Sequence, residues 1–187
     1  MTPVFTAAEA SRIVEAFDPR ADDLARKSRD LTLGLLHHTD SPFSRHQFEP
    51  GHITCTALVF HPWQPRVLLM HHHRLHRWLL PGGHVEKADA GPAYTAAREA
   101  HEETTVRIDP RFDAQLAGID VHGIPPKRDE PFHLHHDLIW SFRAEADRIE
   151  QTDEAPEVIW ATEWDWDRLQ VAQSIRNAVV RAQHRRR

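Results

Sequence analysis

Three glutamates, Glu99, Glu102 and Glu103, stand at i, i+3 and i+4 in a stretch with helical character. That spacing puts three carboxylates on one helix face within a few ångströms of each other. Like charges so placed repel by a few tenths of a kcal/mol, roughly, per solvated pair, and by more where the site is shielded. Something positive must offset them. Arg98, next in sequence, anchors part of the charge, and a hard divalent cation with oxygen ligands would neutralise the rest. Magnesium keeps several waters and takes one or two carboxylates together with phosphate oxygens, so metal-assisted hydrolysis of a phosphoanhydride is the chemistry these residues suit. An Arg-Glu-x-x-Glu-Glu face alone is more often a solvated surface, and what precedes it changes the reading. Gly82 and Gly83 follow a short apolar run and permit backbone conformations and close approaches that other residues do not. Pro92 fits the first turn of the helix behind them.

Residues Gly83 to Val106 resemble the Nudix signature: a glycine, an acid, then Arg-Glu-aliphatic-x-Glu-Glu-x-Gly-aliphatic. Arg98-Glu99-Ala100-His101-Glu102-Glu103-Thr104-Thr105-Val106 matches its second half. The chain departs from the pattern at three points. The leading acid is Asp89 rather than Glu, one extra residue falls in the Ala90-Gly91 loop, and Thr105 replaces the glycine just past the helix, where a left-handed cap is favoured. The resemblance implies an α/β (α+β) Nudix fold, a mixed sheet sandwiched between helices, over residues 51–187. It also implies that Glu99, Glu102 and Glu103, with the Gly83 carbonyl, hold magnesium, with manganese as the alternative ion, and that Arg98 orients a glutamate. The activity implied is cleavage of the diphosphate linkage of a nucleoside diphosphate derivative, such as a nucleoside triphosphate, a sugar nucleotide like ADP-ribose, or a dinucleoside polyphosphate. A Nudix-fold nucleotide-binding or regulatory module is the alternative. The general base stays open between a box glutamate and the later Glu154 and Glu157, near where many relatives carry a further acid.

Outside this box the most unusual run is Pro131-Phe132-His133-Leu134-His135-His136-Asp137. On a strand, His133, His135 and Asp137 share one face, and Leu134, Leu138 and Trp140 the other. Such a face suits phosphate binding, positioning of water, or metal ligation; it also suits a plain solvent-exposed strand. If it meets a polyanion, titration of His133 and His135 near neutral pH should modulate binding. Arg77-Trp78 offers a phosphate contact and a stacking ring, although a structural Trp reads equally well. Lys127 and Arg128, in the proline-rich loop before the histidines, offer phosphate clamps or a solvated loop.

The elements that position these residues follow from pattern. Thr6 to Glu9 fits a capping box opening a helix from Ala7 to about Phe17. A second helical stretch from Ala21 to about His37 places Leu24, Leu31 and Leu35 near one face. Residues 1–50 therefore read as a helical N-terminal cap. Strands are expected at Ile53–Phe60, Val67–His71, Trp78–Leu80, Gln115–His122, Leu134–Arg143 and Val158–Thr162, with helices at Ala93–Thr104 and from Asp165 to about Arg185.

Bulk properties exclude several classes. A length of 187 residues suits one catalytic unit. The formal net charge of −5 argues against extended nucleic-acid binding, with Arg185-Arg186-Arg187 read as a solvated tail. One cysteine, Cys55, and no long apolar run point to a cytoplasmic protein without a membrane span, with a small nucleotide-like molecule as its partner and a homodimer as the assembly left open. Sixteen histidines invite a zinc reading. The sequence shows neither a cysteine pair nor His-Glu-x-x-His, and the triplet His71-His72-His73 lacks the spacing of a zinc site.

Overall fold

A computed structural model describes residues 5–73, 75–127 and 129–184. Arg128 and the tail Arg185-Arg186-Arg187 lie outside the described residues.

Helix α1 spans Ala7–Glu15, and its capping box is present: Glu9 N–H donates to Thr6 Oγ1 at 3.2 Å while the Glu9 carboxylate accepts from Thr6 N–H at 2.6 Å. Helix α2 spans Asp23–His38 and is capped by the Asp22 side chain. Its inward face differs from the leucine stripe expected of it. Leu24 and Leu31 are exposed, and Ala25, Ser28, Thr32, Leu35 and Leu36 are buried. The reason is that the sheet beneath presents polar groups: Ser28 Oγ accepts Val121 N–H at 3.1 Å, and Thr32 Oγ1 meets His136 Nδ1 at 3.1 Å. Small hydroxyl residues satisfy those groups and leucines would not.

Seven strands follow among the described residues: β1 Gly51–Phe60, β2 Val67–His72, β3 Arg77–Leu79, β4 Gly82–His84, β5 Gln115–Ile124, β6 His133–Arg143 and β7 Glu157–Ala161. Strand β4 had no counterpart in the sequence pattern, because Gly-Gly-His carries neither alternation nor β-branched residues. The order is β3-β2-β1-β6-β5, with β4 pairing β1 and β7 pairing β2. Strands β1 and β6 run parallel, with His52 opposite His135; the other pairings are antiparallel.

Helix α3, Pro92–Thr104, crosses one face of this sheet together with α1 and α2. Ile53, Cys55, Ala57 and Val59 of β1 pack there against Ala96, Ala100, Leu138, Trp140 and Phe142. The opposite face, with Leu58, Phe60, Leu69 and Ile139, is covered by α4, Gln173–His184, through Ile175, Ala178 and Val179. Helices on both faces explain why β1 is buried along nearly its whole length.

The long C-terminal helix expected from Asp165 is divided. A 3₁₀ turn at Glu163–Asp165 is held by the Asp165 carboxylate, which accepts Thr162 N–H and Oγ1–H at 2.9 and 2.8 Å. Gln170 then adopts φ 53°, which ends the turn before α4 begins. No described helix is long and apolar enough to cross a membrane.

Candidate active site

The box residues are assembled by the passage from β4 into α3. Gly82 is required by contact rather than by left-handed backbone, since no glycine adopts a left-handed φ. A Cβ on Gly82 would stand 2.6 Å from Thr56 Oγ1 and 2.7 Å from the Cys55 carbonyl oxygen, so only glycine lets β4 lie this close to β1. A Cβ on Gly83 would stand 2.6 Å from Glu99 Cδ. The helix carboxylate therefore rests directly on the glycine backbone.

Arg98 organises the rest. Its Nε and Nη2 reach Asp89 Oδ1 and Oδ2 at 2.9 and 3.0 Å, a bidentate pair, and Nη2 also donates to the His84 carbonyl at 3.0 Å. Nη1 lies 2.9 Å from Glu99 Oε1 and 2.9 Å from Glu102 Oε2. The Asp-for-Glu departure and the extra loop residue thus leave the arginine's acidic partner in place. Asp89 is fully buried; burial pushes its carboxyl up, but Arg98, the Glu86 amide and the Thr95 hydroxyl outweigh this and hold it below the ordinary value. Arg98 is correspondingly stabilised in its charged form by Asp89 first, against burial, and then by Glu99.

Glu103 is differently placed. It is buried, accepts Gly82 N–H at 2.8 Å, and has no cation beside it in the described ion pairs. Burial, with the charges of Glu99, Glu154 and Glu102, pushes its pKa up to about 8 against the Gly82 amide. Glu99 is raised as well, by burial first, in spite of Arg98. The three carboxylates do not converge on one point: Arg98 Nη1 holds Glu99 and Glu102, while Glu103 turns to Gly82. The donor set fits a hard divalent cation all the same. It consists of oxygens, it carries more negative charge than one arginine offsets, and the surplus falls on Glu103.

At the end of α3, Thr105 takes φ 57°, ψ 3°, the left-handed cap usually given to glycine, and its N–H closes on the His101 carbonyl at 2.8 Å. Its hydroxyl is buried without a hydrogen-bond partner. Of the late acids, Glu154 acts on the titration of Glu103, while the exposed Glu157 opens β7 opposite His71.

Beside the box lies a wall of imidazoles. His133 and His135 share a face as expected, and strand pairing adds His52 from β1, His84 from β4 and His122 from β5. Ring centroids lie 4.8 Å apart for His52–His135, 5.1 Å for His52–His133, 5.3 Å for His133–His135 and 5.0 Å for His52–His84. Asp137 of the same face is already engaged, accepting Thr54 Oγ1 at 3.1 Å and Thr56 Oγ1 at 2.6 Å. The expectation that this pair of histidines titrates near neutral pH fails for His135. Burial, reinforced by His52, His84 and other neighbouring imidazoles, lowers its pKa to about 2, and burial with His52 lowers His84 to about 4.

Arg77 is exposed at the start of β3, and its charge is felt at His122, on the histidine side. Trp78 is half-buried, packed on the α4-side core with its ring 5.4 Å from that of His71, so packing takes most of its surface. Lys127 is exposed and bridges to Glu130 in the β5–β6 connection. Sequence reasoning gave no role to His52, His84 or His122. His84 stands in the Gly-Gly-His motif itself, but only the register shows where its ring goes.

A family model of the NUDIX domain matches residues 52–183. No curated protein matches the chain. Among solved structures, the NUDIX domain of Shewanella oneidensis NrtR complexed with ADP ribose is similar at 19% identity and a TM-score of 0.55, over 82% of this chain and 97% of that one. The MutT protein from Methanosarcina mazei Go1 is similar at 22% identity and a TM-score of 0.53, over 72% and 94% of the two chains. An Ap4A hydrolase of C. elegans, as a binary complex, is similar at 12% identity and a TM-score of 0.52, over 71% and 95%. At these identities the likeness is one of fold.

Proposed function

Because the chain belongs to the Nudix hydrolase family, we propose that it hydrolyses the diphosphate linkage of a nucleoside diphosphate derivative, using magnesium or manganese held by Glu99, Glu102, Glu103 and the Gly83 carbonyl. The observation that carries this reading is Glu103: a buried carboxylate with its pKa raised to about 8, pressed by neighbouring carboxylates and lacking a cationic partner. A divalent cation held there would supply the missing charge and would polarise a phosphoryl oxygen.

The protein's own groups then have separate tasks. Arg98, fixed by Asp89 and the His84 carbonyl, holds Glu99 and Glu102, which would bind the cation. Water attacks phosphorus, the bridging oxygen leaves with the electron pair of the broken P–O bond, and the water proton passes to a carboxylate. Glu103 or its neighbour Glu154 takes that proton; Glu154 is the member of the late pair whose charge reaches Glu103. Arg77, exposed at the start of β3, would meet a substrate phosphate, and the half-buried Trp78 beside it would contact the base.

The test is a substrate panel of nucleoside triphosphates, ADP-ribose and dinucleoside polyphosphates, with release of a monophosphate product followed with and without magnesium. We expect magnesium-dependent turnover of at least one member. Binding of a panel member without turnover at any magnesium or manganese concentration would favour the regulatory-module reading instead.

A further inference from the structure

We propose that His52, His133 and His135 form a second metal site, separate from the glutamate box, that takes a borderline divalent ion of the zinc class through three imidazole nitrogens. Among the described residues this is the group of histidines, cysteines and acids whose ligand atoms all lie within 4.8 Å of one another. Adjacent parallel strands bring the three together, with His52 directly opposite His135 and His133 two residues before it. The proposal does not rest on the hydrolase reading.

The state of each ring decides what it can bind. His52 Nδ1 lies 3.0 Å from the Gln47 carbonyl oxygen, and His133 Nδ1 lies 2.8 Å from that of Pro131. A carbonyl only accepts, so in the neutral form of either ring the proton sits on Nδ1 and Nε2 is left as a bare lone pair. Such a nitrogen has no N–H to offer a phosphate and would repel its oxygens. For a metal the same arrangement is favourable, because a ligating histidine characteristically donates its other N–H to a backbone carbonyl or carboxylate, which fixes tautomer and ring orientation. His52 is 1% exposed, and its Nε2 is buried with no hydrogen-bond partner. An acceptor left so is destabilising until something satisfies it. A cation among the three nitrogens would satisfy it.

The wider wall supports the assignment. His84 packs against two members of the set, with its ring 5.0 Å from that of His52 and 5.4 Å from that of His135. His122, its Nδ1 3.1 Å from Asp120 Oδ2, backs His135. Imidazole sets of this kind suit zinc, copper, nickel or iron, whereas magnesium seeks oxygen. In a tetrahedral zinc site with Zn–N of about 2.0–2.1 Å, neighbouring nitrogens stand about 3.3 Å apart, so the set must tighten by side-chain rotation when it binds. Three histidines with an open fourth position would leave room for an oxygen ligand, water or phosphate, beside the box.

Tag-free protein, stripped with a chelator and held in excess magnesium to occupy oxygen donors, should be titrated with zinc against a chromogenic chelator, and separately with cobalt(II). We expect one equivalent bound below micromolar, with the visible absorption of four-coordinate cobalt. His52→Ala and His133→Ala should each weaken binding by about a hundredfold or more, and Glu103→Gln should leave it unchanged. Should His52→Ala fail to fold by circular dichroism, His135→Asn serves on the more exposed side. Absence of stoichiometric binding, or binding undiminished in the histidine variants and so held elsewhere, for instance by His71 to His73, overturns the proposal. Because the readout is metal affinity, a silent substrate panel leaves this site standing, and an active one does not establish it.

Discussion

The glutamate box and the histidine wall touch at one residue, His84, and are built on opposite principles. The box is a continuous stretch from Gly82 to Thr105, whose charged groups are interlocked through one arginine. The wall is drawn from four strands, and its members are imidazole rings crowded against one another. In the first, removing a cation strands a buried charge. In the second, removing His52 or His133 strands only a backbone carbonyl acceptor. The two should therefore respond very differently to mutation and to pH.

The sharpest way to break the comparison is Arg98→Met. Asp89, 1% exposed, would be left as a buried unpaired charge, and unfolding by denaturant should show a loss of about 3–5 kcal/mol. His84→Asn on the wall should cost far less. Equal losses would mean the box is not held by charge.

Next in size is Glu102→Gln, which keeps the helix and removes one anionic ligand. Turnover on whichever substrate the panel identifies should fall about a hundredfold or more at saturating magnesium, with the melting temperature nearly unchanged. An unchanged rate would remove Glu102 from the chemistry.

The pH dependence of metal-free stability separates the regions by sign. Glu103, raised from 4.5 to about 8, binds its proton more tightly when folded, so its contribution is full below about pH 4.5 and is lost as pH rises to about 8. His84, lowered from 6.5 to about 4, does the reverse: its contribution is full above about pH 6.5 and is lost as pH falls toward 4. Of the two groups only Glu103 changes its proton binding between about pH 6.5 and 8, so Glu103→Gln should flatten the fall in stability over that span, while His84→Asn should alter the curve only below about pH 6.5. A His84→Asn curve with a changed slope above about pH 6.5 would show the regions to be coupled.

The smallest effect is expected at the end of α3. Thr105→Gly relieves a left-handed residue with an unpartnered hydroxyl and should stabilise by about 1 kcal/mol in thermal melts. A destabilised variant would mean that the threonine methyl packs well enough to repay the strain.

The same contrast explains what could be read in advance. Carboxylate spacing, the Pro92 start, the capping box at Thr6 and most strands are local properties of consecutive residues, and they appear in the structure with ends shifted by one or two positions. Asp89 stands out as the leading acid of the box, but its pairing with Arg98 becomes visible only in the structure. What escaped depends on pairing between distant segments. Leu24 and Leu31 satisfied a helical period, yet hydroxyls from Ser28 and Thr32 won the inward face because of backbone and histidine groups on strands about a hundred residues later. His52 joins His135 only through the β1–β6 register, and nothing near His52 in the sequence announces it. The break near Gln170 came from one carboxylate, Asp165, turning back to Thr162.

One contact ties the beginning of this fold to its last helix. Asp22, the cap of α2, accepts Arg181 Nη2 at 2.6 Å and Asn177 Nδ2 at 2.9 Å, and Arg181, 6% exposed, also donates to the Ala117 carbonyl. The two partners are 159 residues apart. During synthesis at about 5–20 residues per second, α2 therefore waits roughly ten seconds or longer for the guanidinium that completes its N-terminal anchorage. Until α4 has cleared the ribosome, the apolar sheet face that it covers also stays open. A ribosome stalled just before Asn177 would display a nearly complete sheet whose α4-side face is still uncovered.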